Sequence, residues 1–377
     1  MVETFFSVSG RIGVFAMVAA GLVSCTGGDR RSWDPAAAAA RLDQRAARWL
    51  SWGPATRQQG TACMSCHTTL PYLLARAAVA RDSDPLPVPE QRLLASVVKR
   101  VQSWNNMRPY YLNQGPGSRG TEAVLNALVL AEVARQRPEF AAAAAQALEF
   151  MWAEQVTTGP EAGSWHWISF DEQPWEAADS AYYGAVLAVL AAAATPVDYR
   201  GGVAVQARLE SLRAYLMREY PRQTLLNRVQ LLWADNRLPG LMTAADRQAL
   251  VDEIWAQQHA DGGWSTAALL PGWKRADGRP VAGGSDGYAT AFVTMVLGEA
   301  GVPPVDRRLR SGLAWLQHNQ SRWNGGWPAD SPNHSHWIFD TTRYFMGDAA
   351  TAFAVMALTG PWNPVRQAAR FAAAPEG

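Results

Sequence analysis

The chain has 377 residues, of which 18% are charged and 48% are hydrophobic, and its formal net charge is +1. A composition this apolar excludes a disordered chain, and the scattered basic residues exclude a nucleic-acid-binding surface. Three cysteines are too few for a disulfide scaffold.

The first 24 residues read as the signal peptide of a lipoprotein. Arg11 closes a weakly basic segment, and residues 12–23 form an apolar run that is too short to span a bilayer. The tetrapeptide that ends at Cys25 resembles a bacterial lipobox, which makes Cys25 the predicted lipidation site. Thr26 follows it in place of the aspartate of inner-membrane retention signals, so the periplasmic face of the outer membrane is the expected location, with the cell surface as a variant. The alternative is an ordinary signal peptide with a chance cysteine.

Residues 25–40 are predicted to form a linker, and the first motif follows it. Cys63-Met64-Ser65-Cys66-His67 has the Cys-x-x-Cys-His pattern of c-type haem attachment. Two thiols at this spacing can bond to both haem vinyl groups, and the histidine is placed to be the axial ligand of the iron. A disulfide beside an incidental histidine and a partial zinc site are the alternatives.

Six helix pairs are predicted over residues 41–363. In each pair the first helix is amphipathic and the second is almost wholly apolar, which indicates an outer and a buried inner helix. Six such pairs close most simply into an all-α, α/α toroid that carries the haem motif in its first repeat, and a tail is left at residues 364–377. The first four pairs are 42–52 with 71–79, 93–104 with 121–133, 142–154 with 179–190, and 209–220 with 224–233.

The last two pairs are clear internal repeats. The segment 254–264, which contains Gln258 and ends at Gly262-Gly263-Trp264, has a counterpart at 315–327, which contains Gln320 and ends at Gly325-Gly326-Trp327. Each is followed by a polar loop and an apolar helical run, at 286–297 and 348–358.

This Gln…Gly-x-Trp pattern resembles the QW repeat of squalene-hopene cyclases and related terpene cyclases, whose toroid prenyltransferase β-subunits share. The resemblance implies an α/α toroid in which the glutamine and the tryptophan tie one repeat to the next. It does not imply the cyclase reaction, because the Asp-x-Asp-Asp segment of those enzymes is missing here. The zinc ligands of prenyltransferases are missing too, since no cysteine follows Cys66.

The loops after the outer helices are expected to meet at one face of the toroid, where other ligands and acids would lie near the haem motif. The candidates for a distal haem ligand are His334 and His336, with Met107, Met346 and His166 as further choices, and an open position is the alternative. Weak catalytic candidates on the same face are Glu122, Asp179, Asp286 and Asp348, although acids at these places are expected to serve the N-termini of helices. Surplus tryptophans in these loops suggest an apolar or sugar-binding cleft.

Three functions follow as hypotheses. The first is a lipid-anchored haem-c protein that transfers electrons to a redox partner or oxidises a hydrophobic small molecule. The second is a carbohydrate-active hydrolase or lyase, for which Asp179 and Asp286 would supply the paired carboxylates. The third is a non-catalytic lipoprotein that binds a lipid or a protein partner.

Overall fold

A computed structural model describes residues 33–79 and 85–363. The predicted signal peptide, Cys25 and the tail at 364–377 lie outside these residues. Within them the chain forms fourteen α-helices and no β-strand, so the prediction of an all-α fold is confirmed for this part of the chain. The helices are α1 Pro35–Ser51, α2 Thr69–Val79, α3 Val88–Gln102, α4 Pro116–Ala134, α5 Ala141–Ala153, α6 Ala181–Ala193, α7 Val197–Gly201, α8 Val203–Glu219, α9 Leu225–Arg237, α10 Ala244–Ala256, α11 Thr266–Leu269, α12 Gly287–Glu299, α13 Arg307–Asn319 and α14 Phe345–Thr359.

Helix α1 begins inside the segment predicted as a linker. Asp34 accepts a hydrogen bond from the backbone N–H of Ala37 at 2.9 Å, and Pro35 occupies the first helical position. Both residues favour a helix N-terminus, since the carboxylate satisfies a free N–H and the proline ring presets φ. The helix therefore starts at residue 35.

The twelve longer helices alternate between two environments. Helices α4, α6, α12 and α14 are buried on nearly all sides, and α2 and α9 are mostly buried. Helices α1, α3, α5, α8, α10 and α13 each bury one face and expose the other. Apolar residues all round a helix can be accommodated only in the interior, so the sequence pattern accounts for this division.

The buried helices contact one another in chain order. Helix α2 contacts α4, and contacts then follow between α4 and α6, α6 and α9, α9 and α12, and α12 and α14; α14 also contacts α2. The half-exposed helices pack outside their partners, as α5 does on α4 and α13 does on α12.

Three buried tryptophans fasten loops to outer helices. Trp165, Trp264 and Trp327 are each the last residue of a Gly-x-Trp segment, and each exposes 1% or less of its surface. Their indole N–H groups donate to backbone carbonyls near the end of the preceding outer helix, those of Met151 at 2.6 Å, Ile254 at 2.9 Å and Leu316 at 2.8 Å. Each bond reaches a carbonyl near the C-terminus of its helix, where backbone acceptors are left with few partners inside the helix.

One glutamine joins each of these three loops to the next outer helix, and we call these contacts the Gln ties. In each tie the side-chain N–H group donates to a glycine carbonyl in its own loop and to a backbone carbonyl at the start of the following outer helix. The acceptors are Gly163 and Arg208 for Gln155 (both 3.1 Å), Gly262 and Arg308 for Gln258 (both 2.9 Å), and Gly325 and Asp34 for Gln320 (both 2.8 Å). The last tie connects the sixth predicted repeat to the first.

Glycine is required where the Gln ties bring two backbones together. Gly262 has a φ of 92° and Gly325 a φ of 72°, in the left-handed region that favours glycine. A Cβ atom on Gly325 would overlap the backbone carbonyl of Ala37 in α1, and one on Gly262 would lie 2.8 Å from the carbonyl oxygen of Ser311 in α13.

None of the helices in the described residues is both long enough and apolar enough to cross a membrane.

Candidate functional site

The Cys-x-x-Cys-His motif lies in the loop between α1 and α2 and is buried. Cys63, Cys66 and His67 expose 3%, 1% and 7% of their surfaces. The loop is held at Cys63, whose N–H donates to Ala55 at 2.8 Å and whose carbonyl accepts from the Trp49 indole at 2.7 Å. The motif is therefore part of the interior.

Aromatic rings enclose the His67 imidazole. Phe345, the first residue of α14, stacks on it with ring centres 3.6 Å apart and planes 14° apart. Trp49 packs at 5.2 Å and Trp175 at 6.0 Å. Burial lowers the pKa of His67 to about 3, with a smaller contribution from the charge of Arg45, so the imidazole is neutral at physiological pH.

A hydrogen-bonded chain connects His67 to two other helices. The Nδ1 atom lies 2.9 Å from the Thr68 hydroxyl, which donates to Asp348 in α14 at 2.8 Å. Asp348 also pairs with the Nε atom of Arg45 in α1 at 2.6 Å, and both side chains are almost fully buried. Burial raises the pKa of Asp348 despite this arginine.

The hydrogen bonds from His67 through Thr68 to Asp348 assign the imidazole tautomer. Thr68 has a single hydroxyl proton, which goes to the Asp348 carboxylate, so its oxygen accepts from His67 Nδ1–H. A neutral imidazole that is protonated at Nδ1 carries its lone pair on Nε2. A histidine metal ligand has this form, in which one nitrogen is oriented by hydrogen bonding and the other is free to coordinate.

Both cysteines are free thiols. The Cys63 sulfur lies 3.3 Å from the Met64 carbonyl and 3.8 Å from the Tyr111 hydroxyl. Burial raises the pKa of Cys63 to about 12 and also raises that of Cys66, where the nearby Glu176 carboxylate adds to the effect. In the described part of the chain, no three His, Cys, Asp or Glu side chains are grouped to hold a metal ion.

One cavity is lined by His67, and a second cavity adjoins it. The smaller is about 260 Å³ and is lined by His67, Trp175, Glu176, Phe345 and Met346 among others. The larger is about 470 Å³ and is lined by Arg41, Arg275 and Tyr344, among others. Four residues line both cavities and form the wall between them, namely Ser331, His334, His336 and Arg343.

Three of the candidate distal ligands line the cavity that His67 lines. The His334 and His336 rings lie 4.4 Å apart, and His336 Nδ1 is 2.7 Å from the Thr342 hydroxyl. Met346 is buried in the first turn of α14. Met107, which is buried at the end of a short turn, and His166, which is exposed, line neither cavity.

The four candidate catalytic acids are all engaged within the fold. Asp286 is the N-cap of α12, as expected of an acid at that place, and it accepts from the Ala289 N–H at 3.0 Å. Glu122 lies in the second turn of α4 and forms a buried pair with Arg100 at 2.5 and 3.0 Å. Asp348 pairs with Arg45 as described above. Asp179 accepts from Gln173 at 2.8 Å and from Asn227 at 3.1 Å.

The loop tryptophans do not form one cleft. Trp165 and Trp175 are buried, Trp167 and Trp273 are half-buried, and Trp323 and Trp337 are exposed. Three of the residues near His67, namely Thr68, Glu176 and Phe345, were not indicated by the sequence pattern.

The chain matches no family model, and a search of curated proteins finds none with significant similarity. The case for a function therefore depends on the site.

We predict that Asp348→Asn destabilises the protein strongly. The substitution leaves the Arg45 guanidinium buried without a charged partner, and breaking a buried ion pair in this way costs about 3–5 kcal/mol. Urea denaturation of the variant and of Asp330→Asn, an exposed acid in the adjoining loop, provides the measurement and its control. An equal, small loss in both variants would contradict the role given to Asp348.

We also predict a pH-dependent effect of Glu176→Gln. Burial, together with the Glu172 carboxylate, raises the pKa of Glu176 to about 7 from the ordinary value of about 4.3. Between these values the folded protein holds a proton that the unfolded chain has lost, so the wild-type stability contributed by this group falls as pH rises. The variant has no such group. Its free energy of unfolding, measured relative to that of wild type, should therefore increase from about pH 5 to about pH 8. A difference that stays constant over this range would show that Glu176 ionises normally.

Proposed function

We propose that the six helix pairs close into an α/α toroid. The order of contacts among the buried helices, which returns from α14 to α2, supports this arrangement. The Gln320 tie to Asp34 supports it independently, because it joins the last loop to the first outer helix in the same way as the two ties within the chain.

We further propose that the toroid carries one haem c, bonded to Cys63 and Cys66 and ligated axially by His67. The observation that carries this proposal is the hydrogen-bonded chain from His67 to Asp348, which leaves the Nε2 lone pair free for a metal.

The residues present fit the group. The two thiols and the imidazole have the required order and spacing in one buried loop, and His67 lines a cavity that neither cysteine lines. The cavity that His67 lines is smaller than the roughly 300–1,000 Å³ usual for a ligand pocket, whereas the adjoining one falls within that range. The wall of Ser331, His334, His336 and Arg343 is the part of the chain that a haem would have to displace.

A bound haem c would supply a one-electron redox centre at this place. The chain's own residues would tune it through the axial histidine. Asp348 and Thr68 hold the His67 proton on Nδ1 and so fix the orientation of the imidazole ring. Phe345, Trp49 and Trp175 exclude water from the ring. His334, His336 and Met346 are the candidates for the sixth ligand.

The proposed cellular setting is that of an exported lipoprotein, anchored through Cys25 at the periplasmic face of a bacterial membrane, with the outer membrane favoured. The cell surface is the alternative. Haem c is attached outside the cytoplasm, which agrees with export. The partner would be a redox protein or a hydrophobic small molecule, and no nucleic acid is involved. Whether the site transfers electrons or oxidises a substrate depends on the sixth ligand, since an open position favours catalysis.

The two other hypotheses gain little support. Asp179 and Asp286, the acids for a carbohydrate-active enzyme, are occupied by bonds to Gln173, Asn227 and the α12 backbone. The non-catalytic alternative predicts a purified protein with bound lipid and no cofactor.

The haem proposal predicts a covalent chromophore. Exported protein produced together with haem-attachment machinery should give a haem-stained band on a denaturing gel, with a Soret and an α band in solution. The variant Cys63→Ser/Cys66→Ser should lose the stained band because no thioether can form. Met64→Leu, which changes the same loop but keeps both thiols and His67, should retain it. Processed wild-type protein without a stained band would overturn the proposal.

A further inference from the structure

One part of the surface concentrates exposed apolar side chains. Trp323 is 98% exposed, and Trp337, Ile338 and Phe339 are 74%, 63% and 83% exposed. Tyr344 is partly exposed in the same region. Clusters of large apolar residues at the surface mark contacts with another molecule or with a membrane. We call these five residues the aromatic surface.

Two parts of the segment between α13 and α14 carry the aromatic surface, residues 321–324 (the first loop) and 331–344 (the second loop), and they lie side by side. Ser321 and Asn324 from the first loop line the 470 Å³ cavity together with Ser335, Arg343 and Tyr344 from the second. A third loop, at residues 273–279, is fastened to the second by hydrogen bonds. These include the Ala276 N–H to Asn333 at 2.8 Å and the Arg275 guanidinium to Ser331 at 2.8 Å.

Basic side chains outnumber acidic ones around the aromatic surface, although the whole chain has a formal net charge of only +1. Arg41 donates to Gln44 and is attracted by the Asp348 carboxylate, and Arg343 donates to the Ile338 carbonyl. Arg275 forms an ion pair with Asp277 at 2.7 Å. Six basic residues lie in the three loops or line the 470 Å³ cavity, namely Arg41, Lys274, Arg275, Arg279, Arg322 and Arg343. The acids at the same places are Asp277, Asp330 and Asp340.

The described part of the chain begins, at Trp33, beside the first loop. Gln320 binds both backbone groups of Asp34, accepting from its N–H at 2.6 Å and donating to its carbonyl at 2.8 Å. The Trp33 ring lies 6.2 Å from that of Trp327, just after the first loop. Cys25 precedes Asp34 by nine residues, so a lipid on Cys25 is within roughly 30 Å of the loop that carries Trp323.

We propose that the aromatic surface lies against an anionic bilayer and fixes the orientation of the lipid-anchored protein. The proposal rests on the lipidation of Cys25 proposed above. Aromatic side chains are favoured at the boundary between headgroups and acyl chains, and arginine and lysine beside them bind lipid phosphates. The 470 Å³ cavity, lined by Arg41, Arg275 and Arg343, offers a place for one headgroup. In this orientation the wall between the two cavities would face the membrane.

Photo-crosslinking of the full lipidated chain in vesicles tests the proposal. The vesicles would contain phosphatidylethanolamine, phosphatidylglycerol and a lipid with a photoactivatable group near the headgroup. Mass spectrometry of peptides should find crosslinks within residues 322–344. Replacing phosphatidylglycerol with phosphatidylcholine keeps the phosphate but removes the net negative charge of the bilayer. The labelling should then fall about fivefold for each basic residue that lies at the bilayer surface.

Matched variants locate the contact. Trp323→Ser/Trp337→Ser/Phe339→Ser should lose most of the labelling at 322–344, at least fivefold. Val197→Ser/Val203→Ser/Val305→Ser removes equally exposed apolar residues elsewhere and should leave it unchanged. Circular dichroism checks that both variants are folded.

The mass of the N-terminal peptide separates the two proposals. A chain without lipid on its N-terminus overturns the anchor and this proposal with it. A lipidated chain whose crosslinks map to other surfaces, or a chain labelled equally in both variants, overturns the orientation alone. Protection of the aromatic surface by an added protein partner, without any lipid crosslink, would assign the surface to that partner instead.

Discussion

The rest of the site depends on the buried ion pair between Asp348 and Arg45. The Asp348 carboxylate joins α14 to α1 through Arg45 and reaches the motif loop through Thr68. Two helices at opposite ends of the chain thus share one ion pair, separated by 303 positions. A buried charge of this kind is tolerated only when its partners are all in place. The position of Thr68, and with it the tautomer of His67, therefore depends on contact between the first and last repeats.

The Gln ties show how that contact is made. The ties at Gln155 and Gln258 link neighbouring repeats along the chain, and the tie at Gln320 uses the same bonds to reach Asp34 at the start of α1. Phe345, which stacks on His67, begins the helix that carries Asp348. The proposed haem site is thus located at the junction of the last and first repeats.

Much of the fold could be predicted from the sequence. Apolar residues on all sides of a helix indicate burial wherever they occur, so each of the six inner helices was located to within a few residues. Asp286 could be assigned as a helix N-terminal residue because its position before an apolar run is a local signal.

The parts that the sequence did not reveal depend on long-range contacts. Nothing near Arg45 or Thr68 indicates that both meet Asp348, and Glu122 shows its pairing with Arg100 only when α3 and α4 are packed together. The sequence does not identify Gln155 as a tie because its repeat is degenerate, although its bonds match those of Gln258 and Gln320. The motif itself was visible, whereas the orientation of its histidine was not.

Hydrogen exchange in two glycine variants tests most directly whether the junction of the last and first repeats shapes the site. Gly325→Ala places a methyl group against α1, and Gly262→Ala places one against α13, and both glycines have positive φ. The amides of residues 63–72 would be compared with those of α6 in each variant. We expect Gly325→Ala to speed exchange at residues 63–72 relative to α6, and Gly262→Ala to leave this ratio unchanged. Equal ratios in the two variants would contradict the dependence of the site on that junction.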